Sequence, residues 1–336
     1  MDLAGKRVLV IGGAGLIGSH VVDALTRTPV ERIVVYDNFS RGTRSNLASA
    51  LCDPRVEIFP LGGDVLQRDL LDAAMRDVDA VFHLAALWLL HCHDYPESAF
   101  EVNVRGSFEV TMAAIRNGVR RLVFSSSASV YGDAESTPMS EEHPYRNRTF
   151  YGATKIAGEH LIGSLAHRYG LEWVGLRYMN VYGPRQDYRG AYTAVMHRMI
   201  DRLERGESPV VHGDGSQTYD FIHVRDVAAA NVAAMCAEAS GELYNVGRGE
   251  GTSLLELARL LQRLFGHAGA IEHQPAAQSF VTHRIGSTEK AARDLGWRWR
   301  IGLEEGMRDL VAWRREERQR ARRPALEQGS ACTASP

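Results

Sequence analysis

The sequence predicts an α/β fold built on a doubly wound parallel sheet, and three observations predict it. Short β-branched runs alternate with segments of helical periodicity through the first half of the chain. The first run passes straight into a glycine-rich turn and then an apolar-periodic helix. Several later runs end on polar residues, which a parallel sheet gathers at one edge, where ligands of such folds bind.

Arg7-Val-Leu-Val-Ile11 reads as a short, fully buried strand. Gly12-Gly-Ala-Gly-Leu-Ile-Gly18 follows, and Ser19 to about Thr26 continues as helix. In this order the glycines form a Rossmann-type dinucleotide motif. Gly12 permits the tight turn, Gly15 lets the backbone approach a pyrophosphate, and Gly18 packs the helix on the sheet. Leu16 and Ile17 stand at the helix N-terminus, whose free N–H groups attract phosphate. The second strand, Arg32-Ile-Val-Val-Tyr36, ends on Asp37, a carboxylate that suits a ribose 2′-hydroxyl and repels a 2′-phosphate. That favours NAD over NADP, although Arg41 and Arg44 follow closely. Further strands are predicted over Val56–Pro60, Ala80–Leu84, Arg121–Ser125 and Glu172–Arg177. Their ends carry Asp64, His83-Leu-Ala-Ala86 and the serine run, so these converge with the glycine turn on one crevice.

Tyr151 and Lys155 lie four residues apart in Tyr-Gly-Ala-Thr-Lys and share one helix face. A free phenol titrates near ~10. A cation beside it favours the phenolate and brings the base into range. A hydroxyl from the upstream run Ser125-Ser-Ser127, either Ser127 or its neighbour Ser126, then shares the proton of a substrate alcohol. The set suits removal of a carbinol proton while hydride leaves its carbon.

The composition narrows the class. With 336 residues and 45% hydrophobic content the chain can bury a large core. A net charge of -2 gives no pull toward nucleic acid or anionic membrane. No signal peptide or membrane span is expected, and a cytoplasmic location follows. Cys52, Cys92, Cys236 and Cys332 are scattered and are expected as reduced thiols. His91-Cys-His93 invites a metal reading, but three consecutive ligands do not easily converge on one ion, so no metal is expected. After Gly183-Pro184 the pattern changes to helices over Val195–Arg205, Leu254–Phe265 and Ser287–Leu295, with a strand at Val210–His212 and a turn at 213–217. From Arg314 the chain turns Arg/Glu-rich and then Ala/Ser/Thr/Pro, and Gln328–Pro336 reads as a disordered tail.

Taken together, the chain resembles an extended short-chain dehydrogenase/reductase of the nucleotide-sugar epimerase/dehydratase group. The resemblance rests on the glycine turn, Asp37-Asn-Phe-Ser-Arg-Gly42, Gly63-Asp-Val65, His83-Leu-Ala-Ala86 and Asn103-Val-Arg-Gly106. It continues through Ser125-Ser-Ser-Ala-Ser-Val-Tyr-Gly132, Tyr151-Gly-Ala-Thr-Lys155, Arg177 to Gln186 and Asp220-Phe-Ile-His-Val-Arg-Asp-Val227, and spans the chain to about Arg314. It implies an NAD-binding domain over 1–178 with a return segment near 220–247, a smaller nucleotide-sugar domain over 179–219 and 248–314, and a tail over 315–336. The implied cofactor pocket takes Asn38, Ser40, Arg41 and Gly42, then Leu84, Ala85 and Ala86, then Asn103, Ser125 and Tyr178, with Asp64 and Val65 flanking the adenine. Lys155 would also bond the nicotinamide ribose, and Asn180 would face the substrate phosphates. A homodimer is implied, with Ile156, Leu161 and Leu165 free to serve its helix bundle.

The resemblance is closest to UDP-sugar 4-epimerases of the UDP-glucose/UDP-galactose type. The 4,6-dehydratases carry an Asp-Glu pair beside the hydroxyl residue and the decarboxylases a Glu, whereas this chain has Ala128 and Ser129. Without an acid there, elimination lacks a general acid. Three departures bear on the sugar. Tyr219 stands where many UDP-sugar epimerases place a phosphate-binding arginine, no arginine lies near Ala276–Ser279, and Leu87-Trp-Leu-Leu-His-Cys-His93 replaces a small polar stretch. Trp88 would roof the sugar pocket or only fill space. Arg185, Arg189, Arg198 and Arg284 are the candidates to meet the diphosphate, or a sugar carboxylate in bidentate fashion. UDP-glucuronate and UDP-N-acetylhexosamine 4-epimerases therefore stand beside the UDP-glucose reading. A dehydratase or reductase and a non-catalytic NAD-binding sensor are the further alternatives.

Overall fold

The computed structural model describes residues 1–188, 195–276 and 283–330, with side chains through residue 320. Its strands are β1 (Arg7–Ile11), β2 (Arg32–Tyr36), β3 (Val56–Ile58), β4 (Ala80–His83), β5 (Arg121–Ser127), β6 (Glu172–Tyr178), β7 (Asn180–Tyr182), β8 (Val210–His212), β9 (Thr218–Tyr219), β10 (Phe221–His223), β11 (Glu242–Val246), β12 (Thr252–Ser253), β13 (Glu272–Gln274) and β14 (His283–Arg284). Its α-helices are α1 (Leu16–Leu25), α2 (Arg68–Ala74), α3 (Leu89–Asp94), α4 (Pro96–Ala99), α5 (Gly106–Arg116), α6 (Phe150–Tyr169), α7 (Val195–Glu204), α8 (Val224–Cys236), α9 (Leu254–Phe265), α10 (Glu289–Asp294) and α11 (Leu303–Ser330).

Seven parallel strands form the central sheet in the order β11-β6-β5-β4-β1-β2-β3. This is the predicted doubly wound α/β architecture, and each predicted strand falls within about two residues of an observed one. The inner strands are apolar on both faces because helices cover both. Alternate residues point to opposite sides. Val8, Val10, Val123 and Val174 pack toward Val22 of α1 and Val227 and Met235 of α8. Leu9, Ile11, Leu122 and Phe124 pack toward Ala113 of α5 and Ile162 of α6. The return of the chain expected near 220–247 includes β11, which pairs with β6 at the sheet edge. At the other side of β6, β5 continues the ladder as far as Ser127 opposite Tyr178.

Beyond β6, a separate apolar cluster joins Met196 and Ile200 of α7, Val211 of β8, Leu257 and Leu261 of α9, and Leu310 of α11. Here α11 carries helix past the boundary expected at Arg314. The Arg/Glu-rich stretch is the continuation of α11, which runs to Ser330 and so takes in Gln328. It is docked by Arg314, fully buried against α7, where it bonds Asp201, the His197 carbonyl at 3.2 Å and Glu204 at 3.4 Å. A charged composition disguised a helix whose key contact is itself ionic. Residues 331–336 lie outside the described residues. Among the described residues no helix is long and apolar enough to cross a membrane.

Candidate functional site

The switch in strand order on either side of β1 opens a crevice at the carboxyl ends of β1, β2, β4 and β5. The glycine turn sits in it. Gly12 has φ 78°, and a Cβ there would come within 2.7 Å of the Ala85 nitrogen, so β1 and the segment after β4 meet backbone to backbone. A Cβ on Gly18 would meet the Gly12 oxygen at 2.1 Å. The Ala14 peptide is clamped from both sides: its N–H donates to Asp37 Oδ2 at 2.8 Å, and its carbonyl accepts from Thr43 N at 3.2 Å and Asn46 Nδ2 at 2.8 Å. Gly42 presses on Ala14, and Gly63 on the Asp37 backbone. The loop carrying Asn38, Ser40 and Arg41 is thereby laid over the turn. Burial pushes the Asp37 carboxyl up, against two N–H donors that favour its charged form.

Gly15 is different. Its φ is -74° and its ψ -177°, which any residue adopts, and a Cβ would meet only the Gly12 oxygen at 3.4 Å. Neither conformation nor packing demands glycine there. What its absent side chain leaves is space over the α1 N-terminus, beside Leu16 and Ile17, and a dinucleotide pyrophosphate fits that space. Val65 is buried and Asp64 organises its own turn through Leu66 N at 3.0 Å, while Leu84 and Ala85 line the floor.

Thr149 caps α6 by accepting from Gly152 N at 3.1 Å. The cap and the tight seating of Gly152 against Asn147 and the Ser129 carbonyl place Tyr151 in the first turn, over the end of β5. There its phenol faces Ser127, whose Oγ accepts from Ser129 N at 3.1 Å. Lys155, one turn on and buried, donates to the Ser125 carbonyl at 2.7 Å. The three expected groups are therefore together. Their electrostatics differ from expectation. Burial pushes the phenol up to about 12, with the neighbouring Ser127 hydroxyl only partly opposing it, and pushes the Lys155 ammonium down to about 8. The ammonium lies 5.7 Å from the Tyr151 ring centroid and turns to the carbonyl instead, so it does not by itself hold the phenol as phenolate.

Other expected site residues prove to be committed elsewhere. Ser126 points to the opposite face from Ser125, as strand alternation requires, and donates to Glu159 at 2.5 Å, so it is no hydroxyl for the substrate. Asn103 is buried: it accepts from Leu87 N at 2.7 Å and donates to the Leu87 carbonyl at 2.9 Å and to Thr154 at 3.1 Å. It braces the segment Ala86–Trp88 against α6. Tyr178 is buried behind the site, bonding Asn231 at 2.9 Å. Cys92 is buried against Asn103 and the Leu87 carbonyl, its thiol pushed up by burial. Among the described residues no three His, Cys, Asp or Glu side chains gather to hold a metal.

On the substrate side, parallel pairing of β14 with β9 sets Arg284 opposite Tyr219. The guanidinium shares its surroundings with Tyr219, Asp133 and Tyr151, lines a cavity of about 310 Å³ with Ser129, Arg146 and Arg148, and leaves its Nε buried without a partner among the described residues. Burial draws it down to about 10. Asn180 donates to the Asp220 carbonyl from β7. The Trp88 ring is covered by Arg41 at 4.6 Å, and Arg41 reaches Asp187 at 3.5 Å. Arg185, at φ 69°, is engaged in an ion pair with Asp23 on α1 at 2.7 Å. Arg198 is exposed on α7. Arg189 and positions 277–279 lie outside the described residues.

Sequence reasoning passed over Glu159, Arg177 and Asp133. Glu159 continues the Tyr151, Lys155 spacing by four more residues, a signal present in the sequence. Nothing in the sequence announced that Arg177, on β6, would be its partner at 2.8 Å.

Comparison with known proteins agrees with this geometry. The NAD dependent epimerase/dehydratase family model matches residues 8–247. A UDP-glucose 4-epimerase of Mycolicibacterium smegmatis is 34% identical over 317 residues, covering 93% of this chain and all of that protein. A dTDP-glucose 4,6-dehydratase of an Actinoplanes species is 32% identical over 329 residues, covering 93% of this chain and 98% of that protein. The crystal structure of UDP-glucose 4-epimerase from Thermotoga maritima, with UDP-glucose, superposes with a TM-score of 0.85 at 32% identity, covering 93% of this chain and 99% of that one. With a clamped glycine turn, an acidic residue ending β2 and a phenol meeting a serine hydroxyl beside a buried lysine, the chain is an enzyme that uses NAD and belongs to the NAD-dependent epimerase/dehydratase family.

Proposed function

We propose that the protein interconverts the C4 epimers of a UDP-sugar of the UDP-glucose/UDP-galactose type. One observation carries this reading: the Tyr151 phenol faces Ser127, and the next positions along the chain are Ala128 and Ser129. Proton transfer at an alcohol is provided for, while the acid that elimination of water requires is missing from that place.

In this reading Tyr151 and Ser127 share the proton of the sugar 4-hydroxyl. Lys155 carries positive charge beside the ribose and keeps α6 in contact with β5 through Ser125. The glycine turn, with Asp37, holds the cofactor through the α1 N-terminus. Held there, NAD would supply the hydride acceptor and a positive charge. Epimerisation requires that the pocket leave a 4-keto sugar room to present either face. Segments 179–219 and 248–314, with Arg284, Tyr219 and Asn180, receive the sugar nucleotide. A second copy docks along α5 and α6, where Phe108 and Phe150 are exposed.

A UDP-glucuronate substrate is the second reading, favoured by the Nε of Arg284 near Tyr151, buried and unpartnered among the described residues. Incubation with UDP-glucose, UDP-glucuronate and UDP-N-acetylglucosamine, followed by separation of products, tests both. Turnover without added NAD is expected, and Tyr151→Phe should lose it by about 10²–10⁴-fold. Full turnover in Tyr151→Phe would overturn the mechanism.

A further inference from the structure

We propose that Glu159 is a positioning residue for the reaction: clamped by Arg177, it fixes the rotation of α6 on β5 and so sets the Tyr151–Ser127 and Lys155–Ser125 contacts. The inference rests on Tyr151 and Lys155 being the proton-transferring pair.

The geometry forms a ladder. Tyr151, Lys155 and Glu159 are spaced by four along one face of α6. Each meets one residue of the serine run: Tyr151 with the Ser127 hydroxyl, Lys155 with the Ser125 carbonyl at 2.7 Å, and Glu159 with the Ser126 hydroxyl at 2.5 Å. The first two rungs do chemistry. The third touches neither reacting atoms nor solvent, since Glu159 is 3% exposed.

A buried carboxylate must be paired. Arg177, 1% exposed on β6, donates Nε to Oε1 at 2.9 Å and Nη2 to Oε2 at 2.8 Å. This two-pronged contact fixes orientation as well as distance. Tyr145 adds a hydroxyl to Oε2 at 2.9 Å. Arg177 is itself held by the Tyr131 hydroxyl at 2.9 Å and the Glu141 carbonyl at 2.8 Å. Two neighbouring strands and the β5–α6 connection thus converge on one side chain of α6, directly or through Arg177. Gly158 adds close approach, for a Cβ there would meet the Phe124 ring at 2.6 Å. Loosening the third rung would let α6 roll or slide, and the first two rungs would lengthen together.

Glu159 is also the nearest carboxylate along the helix to Lys155. The titratable and charged groups around that ammonium are Tyr151 and Glu159 on α6, Cys92 on α3 and His83 on β4, and Tyr151 in turn faces Arg284 and Tyr178. Of these, Glu159 and Cys92 favour the charged ammonium, and burial opposes it.

The test compares Glu159→Gln and Ser126→Ala with the full-length enzyme, using the best UDP-sugar found and correcting for folded fraction by circular dichroism. Glu159→Gln should lower kcat by about 10- to 100-fold, the scale of a small misplacement of reacting groups, with KM nearly unchanged. Its alkaline limb of kcat against pH should move toward acid as Lys155 gives up its proton more readily. In the cofactor-free protein, the phenol titration assigned to Tyr151 by subtraction of Tyr151→Phe should shift as well. Ser126→Ala should show a smaller loss in the same direction. If Glu159→Gln lowers thermal stability but keeps kcat, pH profile and phenol titration, Glu159 is merely structural and the inference falls. Should Glu159→Gln fail to fold, an unchanged kcat in Ser126→Ala overturns it. An active Tyr151→Phe would instead sink the reading on which it rests.

Discussion

Two glycines of one turn are expected to fail in opposite ways. In Gly18→Ala the new methyl would meet the Gly12 oxygen at 2.1 Å and the Gly13 Cα at 2.8 Å. These are backbone atoms, and the turn that carries them is pinned at Ala14 by Asp37, Thr43 and Asn46, so they have no room to yield. Overpacking against a fixed backbone costs about 2–3 kcal/mol, which lowers Tm by roughly 4 °C or more in a chain of this length. In Gly15→Ala the methyl meets one atom, at 3.4 Å, from a φ of -74° that alanine accepts. The cost is the loss of glycine at an N-cap, about 0.5 kcal/mol. The same methyl occupies the space over the α1 N-terminus where the pyrophosphate must approach, so NAD binding should weaken at least ~10-fold, or ~1.4 kcal/mol. Thermal unfolding of nucleotide-stripped protein reads the first effect and calorimetric titration with NAD the second. A Gly15→Ala protein that binds NAD as tightly as the parent would refute the assigned cofactor position. A Gly18→Ala protein of unchanged stability would refute the packing argument.

Three further outcomes are expected. Burial holds Lys155 near about 8, below its ordinary 10.5, so between these pH values the native chain binds fewer protons than the unfolded one. This group's contribution to stability therefore rises with pH across that window, by ~3 kcal/mol in all, and Lys155→Met should flatten the stability–pH curve there; equal slopes would count against it. Arg185→Ala should lose ~1 kcal/mol of stability through the partly buried pair with Asp23 and change kcat/KM equally for glucose and glucuronate nucleotides; a selective loss on glucuronate would place the guanidinium in the sugar pocket after all. Arg284→Gln should raise KM for UDP-glucose by about 10-fold, the scale of a lost hydrogen bond to a charged group, and an unchanged KM for every sugar tested would remove Arg284 from the substrate site.

Much of this protein is legible in local pattern. The β-branched runs became sheet strands because strands buried on both faces need no alternation and little context. The glycine turn, Asp37 and the Tyr151, Lys155 spacing were readable because each is a local device whose geometry is set within a few residues. Composition was a poorer guide at α11, where charge suggested a tail and Arg314 instead sits fully buried between helices.

Contacts between distant segments were beyond the sequence for one physical reason: a side chain's role depends on what the fold places opposite it. Ser126 and Ser127 are chemically identical neighbours, and strand alternation sends one to Glu159 and the other to Tyr151. Nothing local to Asn103 announced that it would brace the segment after β4. Arg185 and Arg284 were equal candidates for an anion; the chain turned one onto Asp23 and, through β14, brought the other beside Tyr219 and Tyr151. Burial also reversed an electrostatic expectation, raising the phenol and lowering the ammonium where proximity alone suggested the reverse for the phenol. Local sequence therefore fixes which chemistry is available, and long-range packing assigns which copy of each residue performs it, because desolvation and partner geometry exist only once the chain has folded.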